Sequence, residues 1–259
     1  MLGVARAVLL GGSGADGAPP PPYTAQGVRF DGTNDWLSRG GLLTGTADGP
    51  AFTLSFWVKL LGGDTAIMAF LNSTGPAANE PSFHRMGNDK FKLQCFSPTS
   101  AALWVTETDR LFNTTTNTGW HHVLIAGNLV ATPVGHFFVD DASEPVTDIT
   151  VPTTGDIRFT NDDWGIGGDA GGSFRLNAEF ADIWFDLNFL DITVETNRRK
   201  FIDAVGKPVD LGATGQLPTG SDPILYHSGP TVDWHTNKGT GGGFTENGAL
   251  TDAASSPSD

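Results

Sequence analysis

The sequence predicts an all-β protein, a two-sheet antiparallel jelly-roll sandwich, and three observations favour it. Residues 52–60 alternate apolar and polar side chains, which is the period of a half-buried strand. The 259 residues include 34 glycines and 16 prolines, a composition that suits short strands and turns. Strand-length apolar runs recur roughly every 10–15 residues without a sustained helical period, as in sandwiches and jelly rolls.

The individual elements follow from the same pattern. A strand, a turn and a second strand are predicted over residues 28–37, and turn clusters lie at 113–119, 140–143 and 167–172. The one predicted helix covers residues 194–205, where Val194, Phe201, Ile202 and Val205 form an apolar face. Further strands are predicted at residues 65–71, 91–96, 103–106, 121–126, 136–139, 156–159, 164–166 and 179–187.

The chain divides into an arm, a sandwich and an extension. Residues 1–22 begin with a short apolar run that Arg6 interrupts, so we do not expect a secretory signal. Four prolines then favour an extended arm, which either frays or docks on a partner through Leu9 and Leu10. Residues 23–191 form the sandwich. Residues 192–259 are a glycine-rich C-terminal extension with isolated apolar anchors, expected to pack on the sandwich or on a neighbouring subunit.

Charge and cysteine content exclude several classes of protein. There are 15 Lys and Arg against 29 Asp and Glu, a formal net charge of −14. This balance argues against a nucleic-acid binder and against binding an anionic membrane. No run approaches the roughly 20 apolar residues of a membrane span. Cys95 is the single cysteine, which excludes an intrachain disulfide framework and a cysteine-based metal cluster.

Four segments occur in a fixed order: VRFDGTNDWL at residues 28–37, FTLSFWV at 52–58, GWHHV at 119–123, and IGG at 166–168 followed by FADIWF at 180–185. Together they resemble the concanavalin A-like lectin/glucanase superfamily, and specifically its laminin-G-like jelly rolls. The resemblance covers residues 23–191 and implies that Trp57, Trp120 and Trp184 pack in the core. The superfamily contains lectins, glycosidases, adhesive modules and structural domains, so the fold alone gives no function.

The sequence predicts that the protein is not an enzyme. Glucanases of this superfamily carry Glu-x-Asp-x-x-Glu on one strand face, and that pattern is absent. The nearest carboxylates, Glu179, Asp182 and Asp186, follow a spacing that places Glu179 opposite Asp182 on a regular strand. His121 and His122 are adjacent, so a strand points them to opposite faces and they do not readily chelate one metal.

A lectin is the alternative function, with a host-surface glycan as ligand. Sugar binding needs an exposed aromatic ring beside amide or carboxylate partners. Trp164 next to Asp162 and Asp163 is the most lectin-like cluster in the sequence. The competing interpretation is that Trp164 opens a buried strand.

No cofactor is required, but structural calcium is compatible with the resemblance. Many relatives hold calcium through oxygen ligands from neighbouring loops. Asp31 and Asp35 in the first turn, with Asp182 near the last core strand, are candidate ligands because the first and last strands of such sandwiches often lie side by side. Each aspartate is equally suited to capping a turn.

Residues 196–251 resemble the segment that follows laminin-G-like domains in virion proteins of tailed bacteriophages. The resemblance implies a non-enzymatic virion structural protein, assembled in the host cytoplasm and displayed on the capsid or tail surface. Other virion proteins are the expected partners, and a homo-oligomer is the expected assembly state. Arg198, Arg199 and Lys200 are then candidate attachment contacts, the alternative being a solvated helix face.

Overall fold

The computed structural model describes residues 23–74 and 80–259. They form two antiparallel sheets packed face to face, so the predicted two-sheet sandwich is confirmed. The strands, in chain order, are β1 (Val28–Asp31), β2 (Trp36–Gly40), β3 (Ala51–Leu60), β4 (Met68–Thr74), β5 (Ser82–Arg85), β6 (Phe91–Phe96), β7 (Ala102–Thr108), β8 (His121–Asn128), β9 (Val134–Val139), β10 (Ala142–Ser143), β11 (Val146–Thr150), β12 (Asp163–Ile166), β13 (Asn177–Asp186), β14 (Leu225–His227), β15 (Thr245–Asn247) and β16 (Thr251–Asp252).

Within the residues that the structure describes, each sheet has eight strands. Sheet A runs β10-β9-β8-β3-β13-β1-β16, with β14 also paired to β13. Sheet B runs β11-β7-β6-β5-β4-β12-β2-β15. The strands β1 and β13 are neighbours, with Val28 opposite Phe180 and Asp31 opposite Asn177. The expectation that the first and last strands of the sandwich lie side by side is therefore met.

The core lies between the sheets and follows the alternation of β3. Phe52, Leu54, Phe56, Val58 and Leu60 are all buried in one cluster, as their period of two predicts. The Phe56 ring lies 5.5 Å from that of Phe70 in sheet B, a stacked pair that ties the two sheets together. Trp57 points the other way, onto the outer face of sheet A, where it packs with Ala181.

Residues 192–259 are built into both sheets. The strand β14 pairs with β13, β16 pairs with β1, and β15 pairs with β2 in sheet B. Trp234 and Leu225 from this segment are completely buried in the main core. The segment therefore supplies strands and core side chains to the sandwich.

The helix in this segment, α1 (Glu195–Arg198), is shorter than the predicted helix over 194–205. The chain turns back because Ile202 pairs with Pro208 as an isolated bridge, around Gly206 at φ +83°. A right-handed helix does not pass through that backbone conformation. Across the described residues, no helix is long and apolar enough to cross a membrane.

Candidate functional site

The candidate site is built around an irregularity in β13. Ala181 pairs with Trp57, and Trp184 pairs with Ser55. Between these two pairs β13 has two residues, whereas β3 has one. Such an extra residue is a β-bulge, and Asp182 lies in it at φ +48°. The bulge leaves Asp182 on the outer face of sheet A, in the gap between the stretch of β13 that pairs with β1 and the stretch that pairs with β14.

The Asp182 carboxylate is buried under hydroxyl groups. Asp182 is only 2% exposed. The Tyr23 hydroxyl donates to it, at 3.0 Å from Oδ1 and 3.1 Å from Oδ2. The Ser228 hydroxyl oxygen lies 3.5 Å from that of Tyr23, and Tyr226 lies beside them in the lining of the same surface cavity. The chain has two tyrosines, and both meet here.

Burial sets the protonation behaviour of this cluster. Desolvation raises the pKa of Asp182 to about 6, against the lowering effect of the hydrogen bonds from Ser228 and Tyr23. Desolvation, followed by the charge of Asp182, raises the pKa of both Tyr23 and Tyr226. Both tyrosines therefore keep their protons across the physiological range, while Asp182 is ionised at neutral pH.

A surface cavity of about 380 Å³ opens beside this cluster. Its size lies within the range of small-molecule sites. The Lys238 ammonium reaches it and lies 5.8 Å from the centroid of the Tyr226 ring, a cation–π contact. The lining residues are Tyr23, Thr24, Gln26, Asp210, Gly212, Ala213, Tyr226, Ser228, Gly229 and Lys238.

The C-terminal segment fixes the far wall of the cavity. The Asn237 side chain holds the backbone on both sides, accepting from Tyr226 N at 2.8 Å and donating to Ile224 O at 2.8 Å. Gly215, at φ +78°, passes against the Tyr226 ring so closely that an added Cβ would lie 2.8 Å from Cγ. Tyr226 is thus fixed in position.

Two further cavities of about 340 and 350 Å³ lie near residues 251–259. The cavity beside Asp182 differs from them because buried titratable groups with shifted pKa values meet at its wall. Such groups in a concave site mark a candidate functional site.

The predicted calcium ligands do not converge. Asp31 lies opposite Asn177, five residues before Asp182 on β13, which is on the order of 17 Å along a strand. Asp31 instead caps the first turn, accepting from Thr33 N at 2.7 Å and Asn34 N at 3.0 Å. Asp35 accepts from Asp31 N and from Ala249 N. These three residues therefore form no common metal site, and the turn-capping alternative holds for Asp31. Within 23–74 and 80–259, no group of three His, Cys, Asp or Glu side chains is placed to hold a metal.

Trp164 is not an exposed platform. It is 1% exposed and packs in the core, with its ring 6.2 Å from that of Phe185. The reason is that β12 pairs with β2 on one side and β4 on the other, which makes it a central strand whose Trp164 faces inward. Asp162 is exposed and Asp163 half-buried at the rim, without the aromatic surface expected beside them.

The basic run binds the chain's own sandwich. Arg198 Nε lies 2.6 Å from Asp141 Oδ1, and Arg199 Nη2 lies 2.6 Å from Asp141 Oδ2. The Arg198 guanidinium also lies 4.9 Å from the Phe138 ring centroid. These two arginines thus tie α1 to the β9–β10 turn, while Lys200 is half-buried beside them. The candidate contacts Leu9 and Leu10 lie outside the described residues.

Sequence reasoning missed Tyr23, Tyr226, Ser228 and Lys238 as site residues. Tyr23 and Asp182 are 159 positions apart in the chain, and only the folded pairing of β1 and β14 with β13 joins them. The one sequence signal was the rarity of tyrosine, two among 259 residues.

Comparisons with known proteins show the fold. No protein-family model matches the chain, and no curated protein matches its sequence. A heptameric SAP-like pentraxin from Limulus polyphemus is similar in structure, with a TM-score of 0.55, 11% identity, and coverage of 89% of this chain and 95% of that one. A Bacteroides ovatus protein whose description proposes carbohydrate binding has a TM-score of 0.59 and 11% identity, over 91% of this chain and 62% of that one. The chain thus shares the two-sheet, antiparallel jelly-roll sandwich fold with these structures.

Proposed function

We propose that this protein is a non-enzymatic carbohydrate-binding module whose glycan sits in the cavity beside Asp182. The observation that carries the proposal is a buried carboxylate, held by the Tyr23 hydroxyl, beside a cavity that Tyr23, Tyr226 and Ser228 line. Sugar hydroxyls are bound by fixed polar groups of this kind, and a preformed hydrogen-bonded wall lowers the ordering cost of binding.

The fold supports the same class of function. One structure of this fold is described as a carbohydrate-binding candidate, and its match covers 91% of this chain. A likeness at 11% identity gives no ligand and no binding position, so the cavity itself must carry the assignment.

The chemistry of the cavity favours binding over turnover. Glycoside hydrolysis needs two carboxyl groups that reach the scissile bond from either side. Asp182 has the raised pKa of an acid catalyst, but it is 2% exposed and covered by the Tyr23 hydroxyl. Asp210 remains as the exposed carboxylate lining the cavity.

A glycan array with the full chain tests the proposal. We expect binding to a defined set of glycans, and at least a tenfold loss of affinity for them in Tyr23→Phe. Asp162→Asn, which changes an exposed carboxylate just before β12, is the matched control and should bind as the wild type does. The proposal fails if no glycan binds, or if Tyr23→Phe binds normally while Asp162→Asn does not.

We propose, as a second and compatible function, that the module is a structural component of a tailed-phage virion. The support is the resemblance of residues 196–251 to the corresponding segment of such proteins. Because Arg198 and Arg199 are engaged by Asp141, we assign attachment to other virion proteins to residues 1–22 rather than to the basic run. Light scattering should then give a defined oligomer for the full chain and a monomer for a chain beginning at Tyr23. Monomers in both cases would contradict self-assembly through the arm.

A further inference from the structure

Three surface cavities adjoin on the outer face of sheet A. The first is the cavity of about 380 Å³ beside Asp182. The second, of about 340 Å³, is lined by Thr24 and Gln26, which also line the first. The third, of about 350 Å³, is lined by Ser255 and Ser256, which also line the second. Consecutive cavities are therefore separated by a single segment of chain, so one extended ligand can reach from each cavity into the next.

The wall between the first two cavities is polar and unengaged. Thr24 and Gln26 are both exposed. Within the residues that the structure describes, neither side chain hydrogen-bonds to another group. A hydroxyl and an amide can each donate and accept hydrogen bonds. The wall therefore offers both kinds of hydrogen bond to a hydroxyl-rich chain that passes over it.

The third cavity adds a fixed aromatic ring. Trp120 is half-buried in its lining, and the indole Nε1 donates to Ser255 Oγ at 3.0 Å. The Ser255 hydroxyl is fixed in turn, because it accepts from Lys59 Nζ at 2.8 Å and donates to the buried Glu179 carboxylate at 3.1 Å. Lys207 lines the same cavity. An indole surface and an ammonium in one cavity suit a sugar ring, whose C–H face is apolar and whose hydroxyl oxygens accept hydrogen bonds.

We infer that the ligand of this face is an oligosaccharide of at least three units, with one unit beside Asp182, a second in the middle cavity and a third against Trp120. The inference rests on the proposed carbohydrate-binding function and names its ligand class. Once one unit is bound, the others bind from a high effective concentration. Affinity therefore rises with the number of units that reach a cavity.

The dependence of affinity on chain length is the first test. The probes are the malto-, cello- and chito-oligosaccharides, each as the disaccharide and the hexasaccharide, titrated calorimetrically into the full chain. These three series differ in their linkage or in their N-acetyl groups. We expect the hexasaccharide to bind at least tenfold more tightly than the disaccharide in at least one series.

Fluorine labels locate the two ends of the ligand. Both tyrosines of the chain, Tyr23 and Tyr226, line the first cavity, so 3-fluorotyrosine reports on that cavity alone. The chain has seven tryptophans, and the 5-fluorotryptophan resonance of Trp120 is the one that Trp120→Leu removes. We expect the disaccharide to shift the tyrosine resonances, and the hexasaccharide to shift the Trp120 resonance as well.

Two substitutions remove parts of the third cavity. Trp120→Leu removes the indole and Lys207→Ala removes an ammonium, so the second variant tests the cavity even where the first does not fold. Each should lower the ratio of hexasaccharide to disaccharide affinity at least fivefold. Lys90→Ala is the matched control and should keep the ratio, because Lys90 is half-buried like Lys207 but lies between β5 and β6 of sheet B.

The outcomes separate this inference from the proposed function. If the array binds only glycans of one or two units, or if the disaccharide and the hexasaccharide bind equally in every series that binds, the three-unit ligand is overturned and carbohydrate binding stands. A Trp120 resonance that is unmoved at saturation with the hexasaccharide, or an unchanged ratio in the folded variants, overturns it as well. No binding to any glycan on the array overturns the carbohydrate-binding function itself.

Discussion

Tyr23 donates its hydroxyl to the buried carboxylate of Asp182, with oxygen–oxygen distances of 3.0 and 3.1 Å. This contact joins Tyr23, in the segment that leads into β1, to the bulge of β13, across 159 positions of the chain. It seals the carboxylate from solvent and sets one wall of the cavity. A single hydrogen bond therefore connects the fold of sheet A to the proposed binding site.

Tyr23→Phe should destabilise the protein more at pH 8 than at pH 4.5. The ionised Asp182 loses a donor at pH 8, which costs about 1–3 kcal/mol for a hydrogen bond to a buried charged group. At pH 4.5 the carboxyl is largely protonated, because its pKa is about 6, and the loss is smaller. Urea unfolding at both pH values measures the difference. Tyr226→Phe is the control, since it removes a hydroxyl from the same cavity and keeps the hydrogen bond from Tyr23 to Asp182. An equal loss at both pH values would contradict the charged hydrogen bond.

Asp182→Asn should change how stability depends on pH. The folded pKa of Asp182, about 6, lies above the ordinary aspartate value of 3.8. A group of this kind favours the folded state fully below its unfolded pKa, and the contribution is lost as the pH rises through the folded pKa. The free energy of unfolding of the wild type minus that of the variant should thus fall by about 2 kcal/mol between pH 4 and pH 7. Parallel pH profiles for the two proteins would count against the shifted group.

His122 should affect the pH dependence of the free energy of unfolding in the opposite direction to Asp182. Its side chain lies on the outer face of sheet A, with Nε2 2.9 Å from Ser55 Oγ and its ring 4.8 Å from that of Trp57. Burial lowers the pKa of His122 to about 4 from 6.5. A lowered pKa contributes stability that is present above the unfolded pKa and is lost as the pH falls through 4.

The variant His122→Gln should accordingly lose less stability than the wild type between pH 6.5 and pH 4, by about 3 kcal/mol. Thermal unfolding across this range checks the expectation. His235→Gln removes an exposed imidazole and is the matched control. A control profile that flattens as much as that of His122→Gln would refute the assignment.

Gly215→Ala and Gly220→Ala form a matched pair. Both glycines have positive φ, +78° and +85°, so alanine is strained at each by about 1 kcal/mol or more. A Cβ at Gly220 meets open space, whereas a Cβ at Gly215 lies 2.8 Å from Cγ of Tyr226. Gly215→Ala should therefore cost about 1–3 kcal/mol more than Gly220→Ala, through overpacking against the Tyr226 ring. Equal costs in denaturant unfolding would show that the Tyr226 ring yields.

The fold was predictable because burial follows the alternation of single strands. In β3 the apolar side chains at every second position are the ones buried between the sheets. The prediction of a longer helix at 194–205 was wrong because the helix ends at Arg198 and the chain reverses at Gly206. Phe201 and Ile202 are buried by tertiary packing on sheet A and not by the face of a helix.

The site was not predictable by the same reasoning. Counting along β13 as a regular strand places Glu179 and Asp182 on opposite faces, whereas the bulge puts Asp182 on the outer face. Alternation cannot reveal an inserted residue, because the bulge depends on the register with β3. Trp164 is a second case that the sequence did not settle. The local pattern left open whether its ring was exposed or buried.

The most direct test of the central claim is a crystal structure of the full chain soaked with the strongest neutral ligand from the glycan array. The account predicts sugar density in the cavity, with ligand hydroxyls within hydrogen-bond distance of the Tyr23, Tyr226 or Ser228 oxygens. Density on the outer face of sheet B beside Asp162 and Asp163, with the Asp182 cavity unoccupied by sugar, would contradict it.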